Sequence, residues 1–304
     1  MSASPASQKI GLGTVQFGLD YGIANRRGVA PRGELAAILS IASEAGVRVL
    51  DTAPGYGASE SLLGELLPKP TPFRLVTKTP VGALGESAED AARVIVGGLR
   101  ESLQRLGVDA VYGLLEHRPE RLLGEHGDEV FAAMAKLRDA GKTQRVGVSV
   151  YSQVQLDAIV ARHAIDLVQV PVSVFDQRLL QSGRLKELRG AGIEVHARST
   201  LLQGVVGMSP AALPDFLAGL RSPLGRLAEL AGQSRLTPVA AAIAFVHDLP
   251  EVDVVLCGVE DQVQLREVLD ASQMRVEPKL KAGFQSLAVS DRRLIDPSQW
   301  PEKR

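Results

Sequence analysis

Four ionisable side chains stand at or just beyond the ends of apolar runs. Asp51 closes Val47-Arg48-Val49-Leu50, Lys78 closes Arg74-Leu75-Val76-Thr77, and His117 closes Ala110-Val111-Tyr112-Gly113-Leu114-Leu115-Glu116. Tyr56 follows Asp51 by five residues in Asp51-Thr52-Ala53-Pro54-Gly55-Tyr56-Gly57. A lysine at the end of a core strand needs a counter-charge, because an unpaired buried cation is costly. A carboxylate, a phenol and an imidazole offer it a polar cluster. Together they make a general-acid device. Lys78 stabilises the phenolate and lowers the Tyr56 pKa toward neutrality, and Asp51 holds Lys78 charged and in place. Tyr56 can then give a proton to a developing alkoxide while His117 donates a second hydrogen bond to the same oxygen. The device suits carbonyl reduction, yet no side chain here delivers hydride, so a nicotinamide must supply it.

Taken singly, each residue has a bland reading. An Asp–Lys pair is a common rim strut, a tyrosine between glycines is usually a loop residue, and His117 lies between Glu116 and Arg118. Taken jointly, at three successive strand ends, they favour chemistry.

The elements that position them alternate along nearly the whole chain. Strand candidates cover 10–15, 47–51, 74–78, 109–117, 145–150, 167–171, 193–199 and 252–259. Several are continuous Val/Leu/Ile, as parallel strands covered on both faces should be. Helical patterns fill the gaps at 34–45, 59–67, 91–106, 129–140, 180–189 and 262–271. Ser87-Ala88-Glu89-Asp90 and Ser152-Gln153-Val154-Gln155 have capping-box spacing, and Thr237-Pro238 puts a capping hydroxyl before a proline at the first helical position. Eight βα units in one chain predict an α/β fold, a closed (β/α)8 TIM barrel forming a single domain over 1–304. The rival, a doubly wound open sheet, would advertise a glycine-rich phosphate turn, and Gly11-Leu12-Gly13-Thr14-Val15-Gln16 lacks its third glycine. In a barrel the carboxyl ends of the strands carry the site. Asp51, Lys78 and His117 then share one rim, with Tyr56 in the loop above.

Composition excludes several classes. With 45% hydrophobic residues in 304, the chain has ample core, and a net charge of −1 points to neither nucleic acid nor an anionic membrane. The lone cysteine, Cys257, cannot form an internal disulfide, and no apolar run is long enough to span a bilayer, so a cytoplasmic protein is expected. The five histidines show no His-Glu-x-x-His spacing, so no metal site is expected.

The residues also resemble a known family, the aldo-keto reductases, over almost the whole chain. Asp51-Thr52-Ala53-Pro54-Gly55-Tyr56-Gly57-Ala58-Ser59-Glu60, running into Leu63-Gly64-Glu65, resembles that family's signature, and Val76-Thr77-Lys78 and Leu115-Glu116-His117 resemble the strands that carry its lysine and histidine. The resemblance implies that Asp51, Tyr56, Lys78 and His117 are a catalytic tetrad acting with NADP(H) or NAD(H). It further implies a cofactor-binding set of Gly13, Thr14, Asp51, Ser149, Gln169, Arg198, Ser199, Leu201, Gly204, Gly258, Val259, Glu260 and Gln264. Ser149 and Gln169 match the family's grip on the nicotinamide carboxamide, although Val150 replaces an asparagine. Arg198 takes the place of the aromatic residue that stacks beneath the nicotinamide, a role that a planar guanidinium can share. Backbone N–H groups at the start of the last helix are expected to cradle the adenosine phosphates. Glu260 stands where NADP-specific members carry a basic residue and Val268 where they carry asparagine, which leaves the choice between NADPH and NADH open. Arg266, one turn on, is a candidate phosphate contact. The N-terminal hairpin that often plugs the barrel bottom in this family is expected to be lacking, since nine residues precede the first strand.

The substrate is expected above His117 and Tyr56, beside the loop from Phe17 to Gly28 and Arg118. The C-terminal segment 281–304 is a candidate cover for the mouth, with Trp300 as an apolar wall. Aromatics make up only 4% of the chain, so a polar aldehyde, ketone or sugar fits better than a polycyclic ligand. The expected partner is this small molecule alone, on a monomer or small homo-oligomer. The competing function is a non-catalytic nicotinamide-binding regulatory subunit on the same fold.

Overall fold

The computed structural model describes residues 7–82 and 87–301. Eight parallel strands close into a barrel in chain order: β1 (Ile10–Gly13), β2 (Val49–Asp51), β3 (Arg74–Lys78), β4 (Val111–Glu116), β5 (Thr143–Ser149), β6 (Leu167–Pro171), β7 (Glu194–Arg198) and β8 (Val254–Gly258). β1 pairs with both β2 and β8, which closes the ring and leaves no edge strand. Five strands are shorter than their apolar runs, because chain on either side of the ladder turns out of the sheet, whereas β5 starts two residues before its run and ends one before its end. After β1, for instance, Thr14 ends the strand and a helical turn, Val15–Gly18, begins at once.

Each strand is followed by at least one helix on the outside. The capping signals hold in two of three cases. The Ser87 hydroxyl accepts the Asp90 N–H at 3.1 Å ahead of Ala88–Leu106, and Thr237 does the same for Ala240 at 3.0 Å ahead of Pro238–His247. Ser152 also precedes a helix, Gln153–Arg162, but its hydroxyl makes no capping bond. The helix expected at 180–189 is two short ones, Arg178–Gln181 and Arg184–Gly190. Gly183, at φ +78°, adopts a left-handed conformation that ends the first before the second begins.

Side chains facing the barrel interior alternate along each strand, and their order from one end to the other matters most for function. β3 presents Arg74, Val76 and Lys78, β5 presents Arg145, Gly147 and Ser149, and β7 presents Glu194, His196 and Arg198. The middle of the barrel is apolar, built from Val49, Val76, Leu115, Leu167, Val254 and Leu256. Gly147 belongs there because a Cβ at that position would lie 1.7 Å from the Leu167 carbonyl oxygen. Polar groups are thus confined to the two mouths, apart from His196 between them.

The C-terminal segment packs against the loop that follows β6 and against the helical turns that follow β7. The Val289 N–H donates to the Phe175 carbonyl at 2.8 Å, and Trp300 is buried edge-on against Phe216 with its indole N–H bonded to Arg293 O. Trp300 is not a wall of the cavity described next. The described chain reaches β1 through a short turn, Ser7–Lys9. No helix among the described residues is long and apolar enough to cross a membrane.

Candidate active site

A cavity of about 700 Å3 opens at the carboxyl ends of the strands, and Asp51, Tyr56, Lys78 and His117 all line it. Lys78 is 2% exposed and donates to both Asp51 oxygens, at 2.9 and 2.8 Å, and to the Thr52 carbonyl at 2.9 Å. Three acceptors thus hold the ammonium, which is also a hydrogen-bond partner of the Tyr56 side chain. The Lys78 nitrogen lies 4.8 Å from the centre of the Tyr56 ring, and the His117 ring meets that phenol edge-on with centroids 6.1 Å apart.

Local sequence explains how these side chains are held. The backbone of Thr52 continues the ladder by donating to Val76 O, and the hydroxyls of Thr14, Thr52 and Ser59 form a buried chain at 2.8 and 3.1 Å. Glu60, also buried, accepts from the Thr77 hydroxyl at 2.6 Å and from Arg105 at 2.8 Å, so the Ser59-Glu60 pair is scaffold that ties the Tyr56 loop to β3 and to the helix Ala88–Leu106. The loop after β1 nests against the Tyr56 loop, and only glycine fits at the contact. A Cβ on Gly18 would lie 2.0 Å from Tyr56 O. His117 is positioned through its backbone N–H, which donates to the Thr79 hydroxyl at 3.1 Å.

The electrostatics differ from expectation at one residue. Burial pushes the Tyr56 phenol above its ordinary pKa, Lys78 pulls it down, and the Asp51 carboxylate pushes it up again. Lys78 therefore fails to bring the phenol toward neutrality in this state, because burial outweighs its charge and its hydrogen bond to the phenol, and Asp51 adds to the upward push. The Lys78 ammonium itself sits above its ordinary value: burial lowers it, but Asp51 and Tyr56 raise it more. His117 goes the other way. Burial, with Lys78, Arg198, Arg121 and Arg118 around it, lowers its pKa to about 3, so the imidazole is neutral near pH 7 and its Nδ1 has no partner among the described residues.

Most of the implied cofactor residues share this cavity: Gly13, Asp51, Ser149, Gln169, Arg198, Ser199, Leu201, Gly204, Gly258, Val259, Glu260 and Gln264 line it. Thr14 does not. Its hydroxyl is spent on Asp51 O and on Ser59. The Gln169 amide donates to Asp51, while its Oε1, fully buried, has no partner among the described residues. Arg198 bonds the Ser149 hydroxyl at 3.2 Å and Val150 O at 2.8 Å, and its guanidinium lies 3.6 Å from the centre of the Tyr151 ring. One stacking face of Arg198 is thus taken by Tyr151, a cavity residue the sequence did not single out. Gln203 was likewise missed. It accepts from Ala24 N–H and bonds the Tyr21 hydroxyl, which straps the loop after β1 across the cleft to the loop after β7. The signal was its neighbour Gly204, whose φ of +85° and close approach to Ala24 mark a crossing point.

The expected phosphate cradle at the start of the last barrel helix, Gln262–Ser272, is occupied by the protein itself. The Gln262 N–H donates to Glu34 at 2.7 Å, the Gln264 N–H to Asp261 at 2.8 Å, and the Glu260 N–H to the Gln264 side chain at 2.9 Å. Orphan donors at a helix N-terminus attract carboxylates as readily as phosphates, and here they have found Asp261 and Glu34. Arg266 is absent from the cavity wall, whereas Glu267 and Val268 line it.

Residues 9–282 match the aldo/keto reductase family. The chain belongs to that family. It is 36% identical over 124 residues to an aldo-keto reductase from Mycolicibacterium vanbaalenii, a match that covers 39% of this chain and 41% of that protein. It is 26% identical over 255 residues to the 6-dehydroglucose reductase of Novosphingobium aromaticivorans, covering 80% and 81%. Among solved structures, a glycerol dehydrogenase from Gluconobacter oxydans shares the fold with a TM-score of 0.72 at 20% identity, over 97% of this chain and 94% of its own.

Proposed function

We propose that this aldo/keto reductase family member is a nicotinamide-dependent oxidoreductase that reduces an aldehyde or ketone, or oxidises the corresponding alcohol. One observation carries the reading: a fully ion-paired lysine, 2% exposed, beside the ring of a tyrosine that faces a cavity and a neutral histidine. Buried ion pairs are poor stabilisers, so this one is best understood as holding Tyr56. In the reducing direction the Tyr56 hydroxyl gives its proton to the carbonyl oxygen as negative charge develops there. Neutral His117 donates its N–H to the same oxygen, and Lys78 steadies the phenolate left behind.

The cavity wall fits a nicotinamide dinucleotide, whose part is to supply or accept the hydride. The unpartnered Gln169 Oε1 and the Ser149 hydroxyl suit a carboxamide, and the Gln16 amide, packed on Gly258, adds a further polar group to the wall. The volume, about 700 Å3, lies in the range of ordinary cofactor pockets. At the adenosine end, Glu260 lines the cavity, while Glu34 and Asp261, the latter paired with Arg27 at 2.5 Å, hold the N–H groups of the helix start, so a 2′-phosphate beside Glu260 meets negative charge. This supports NAD(H) binding at least as tight as NADP(H). Tyr21, Tyr151, Gln16 and Gln203 give the substrate side a hydrogen-bonding wall, which suits a small polyhydroxylated carbonyl compound. The 6-dehydroglucose reductase among its relatives points the same way.

The test is Tyr56→Phe, assayed with NADH and NADPH against a panel of small aldehydes and sugars. Turnover should vanish while cofactor dissociation constants stay within about twofold, since the lost hydroxyl serves the transition state alone. Turnover within a few-fold of wild type would remove the proposed acid.

A further inference from the structure

The opposite mouth of the barrel has no part in the chemistry above, yet it is also built as a cavity. A space of about 780 Å3 opens at the amino ends of the strands, and four arginines converge on it: Arg48, Arg74, Arg145 and Arg189. We propose that this mouth is a second binding site, for a small polyanion carrying phosphate or carboxylate groups.

The charge balance of the wall comes first. Against four guanidinium groups stand two carboxylates, Glu194 and Asp253, and both are engaged. Glu194 takes the Tyr112 hydroxyl, Arg145 at 3.0 Å and, through its other oxygen, His196 at 2.8 Å; Asp253 takes the Val195 N–H at 2.8 Å. Among the described residues, Arg48, Arg74 and Arg189 have no carboxylate within ion-pair distance. The chain as a whole carries a net charge of −1, so this excess of cations is local. A concave wall of one sign focuses its field on whatever enters.

Placement matters as much as number. Arginines at the bottom of a (β/α)8 barrel often sit at helix carboxyl ends, where they offset the helix dipole. Arg189 fits that description, in the last turn of Arg184–Gly190. Arg74 and Arg145 lie on β3 and β5, and Arg48 immediately precedes β2, so they answer no helix end. Two of them are pre-set. Arg74 and Arg145 flank the Tyr112 ring, 4.9 and 5.7 Å from its centre, and the Arg145 Nε donates to the Tyr112 hydroxyl at 2.8 Å. Guanidinium groups fixed in this way present forks that match oxyanions two bonds at a time.

The same geometry narrows the ligand. Tyr112 is 8% exposed, with both flanks taken, so the pocket offers no free aromatic face on which a nucleobase can stack. Recognition rests on charge and hydrogen bonds, which favours a compact ligand with closely spaced negative groups.

Calorimetric titration of the full chain with inorganic pyrophosphate, and separately with citrate, tests this, each with and without saturating NADH. One anion should bind per chain, more weakly as salt rises, with affinity indifferent to the dinucleotide. Pyrophosphate the tighter would assign phosphate chemistry, and citrate the tighter would assign carboxylate chemistry. The double variant Arg48→Gln/Arg189→Gln changes two exposed side chains and should weaken binding by about tenfold or more, the loss of two charge-assisted contacts, without changing the NADH dissociation constant. Three results would overturn the proposal: no binding of either anion at millimolar concentration, binding undiminished in the double variant, or displacement of the anion by NADH.

Discussion

Replacing Lys78 by methionine separates the structural from the chemical work of the buried pair. Lys78 donates two hydrogen bonds to Asp51 and one to Thr52 O, and both side chains are almost wholly buried. Without the ammonium, Asp51 keeps the Gln169 amide as its remaining side-chain donor and becomes an uncompensated buried charge. Breaking a buried pair from one side costs about 3–5 kcal/mol. At roughly 2.1 cal/mol/K of unfolding entropy per residue, this lowers Tm by roughly 5–8 °C for a chain of this length. The double variant Asp51→Asn/Lys78→Met removes both charges and should recover most of that loss. Activity should not recover, because both variants lack the cation beside Tyr56, and each should fall about 10²–10⁴-fold in turnover. The pH dependence has a definite sign. Lys78 has a raised pKa in the folded chain, so its stabilisation is complete below the unfolded value of roughly 10.4 and is lost as pH rises through the higher folded value. The Tm gap between wild type and Lys78→Met should therefore be constant from roughly pH 6 to 9 and close only in more alkaline solution. Calorimetry and steady-state rates on wild type, Lys78→Met and the double variant measure all of this. A double variant with wild-type turnover, or a single variant with unchanged Tm, would refute the reasoning.

His117, with its pKa near 3, should contribute no inflection to kcat/KM between about pH 5 and 8; an inflection near 6.5 that His117→Gln removes would show a charged imidazole instead. Tyr56, with its pKa raised, stays protonated through neutral pH, so carbonyl reduction should hold level into the alkaline range while alcohol oxidation, which needs the phenolate, climbs with pH. A reduction rate that falls between about pH 7 and 8 would contradict the buried phenol. Glu260→Arg should tighten NADPH specifically, by on the order of 1–3 kcal/mol if the new contact is charge-assisted, and leave NADH little changed. Equal dissociation constants for NADPH before and after the substitution would place Glu260 away from the ribose.

The barrel was legible because its signals are periodic and local. Continuous apolar runs separated by helical patterns specify βα repeats, and eight repeats close a ring whatever the details of the loops. β3 and β6 match their apolar runs residue for residue, with a charged residue, Arg74 or Asp166, marking where each run begins. The juxtaposition of Asp51, Lys78 and His117 followed from topology alone, because side chains that end consecutive parallel strands must share a rim. What stayed hidden depends on rotamers and long-range partners. Tyr151 and Gln203 enter the cavity from loops, and nothing in their local sequence says that one stacks on Arg198 and the other meets Tyr21. The sign of the Tyr56 shift was hidden for a related reason. A neighbouring cation lowers a phenol's pKa only as far as burial and nearby carboxylates allow, and a sequence shows neither how deeply Tyr56 is buried nor that Asp51 lies beside it.

The helix start after β8 makes the same point in the region that bears on cofactor choice. A stretch such as Gly258-Val259-Glu260-Asp261-Gln262 looks like an anion site when its N–H groups are counted, and like an ordinary capped helix when its carboxylates are. Both counts are correct, and geometry decides between them. Asp261 caps its own helix, and Glu34 arrives from 228 residues away to take the Gln262 N–H. Once two carboxylates hold those donors, a phosphate at the same spot has to displace like charge as well as find hydrogen bonds, whereas a ribose hydroxyl can share the acceptors already present. On the proposed reading, discrimination between the two dinucleotides would rest on Glu260 at the cavity wall and on the acids behind it, of which Asp261 is paired with Arg27. Glu34→Gln, far from Glu260 in sequence, should shift cofactor preference in the same direction as Glu260→Arg, though by less, because it removes a charge without supplying one of opposite sign.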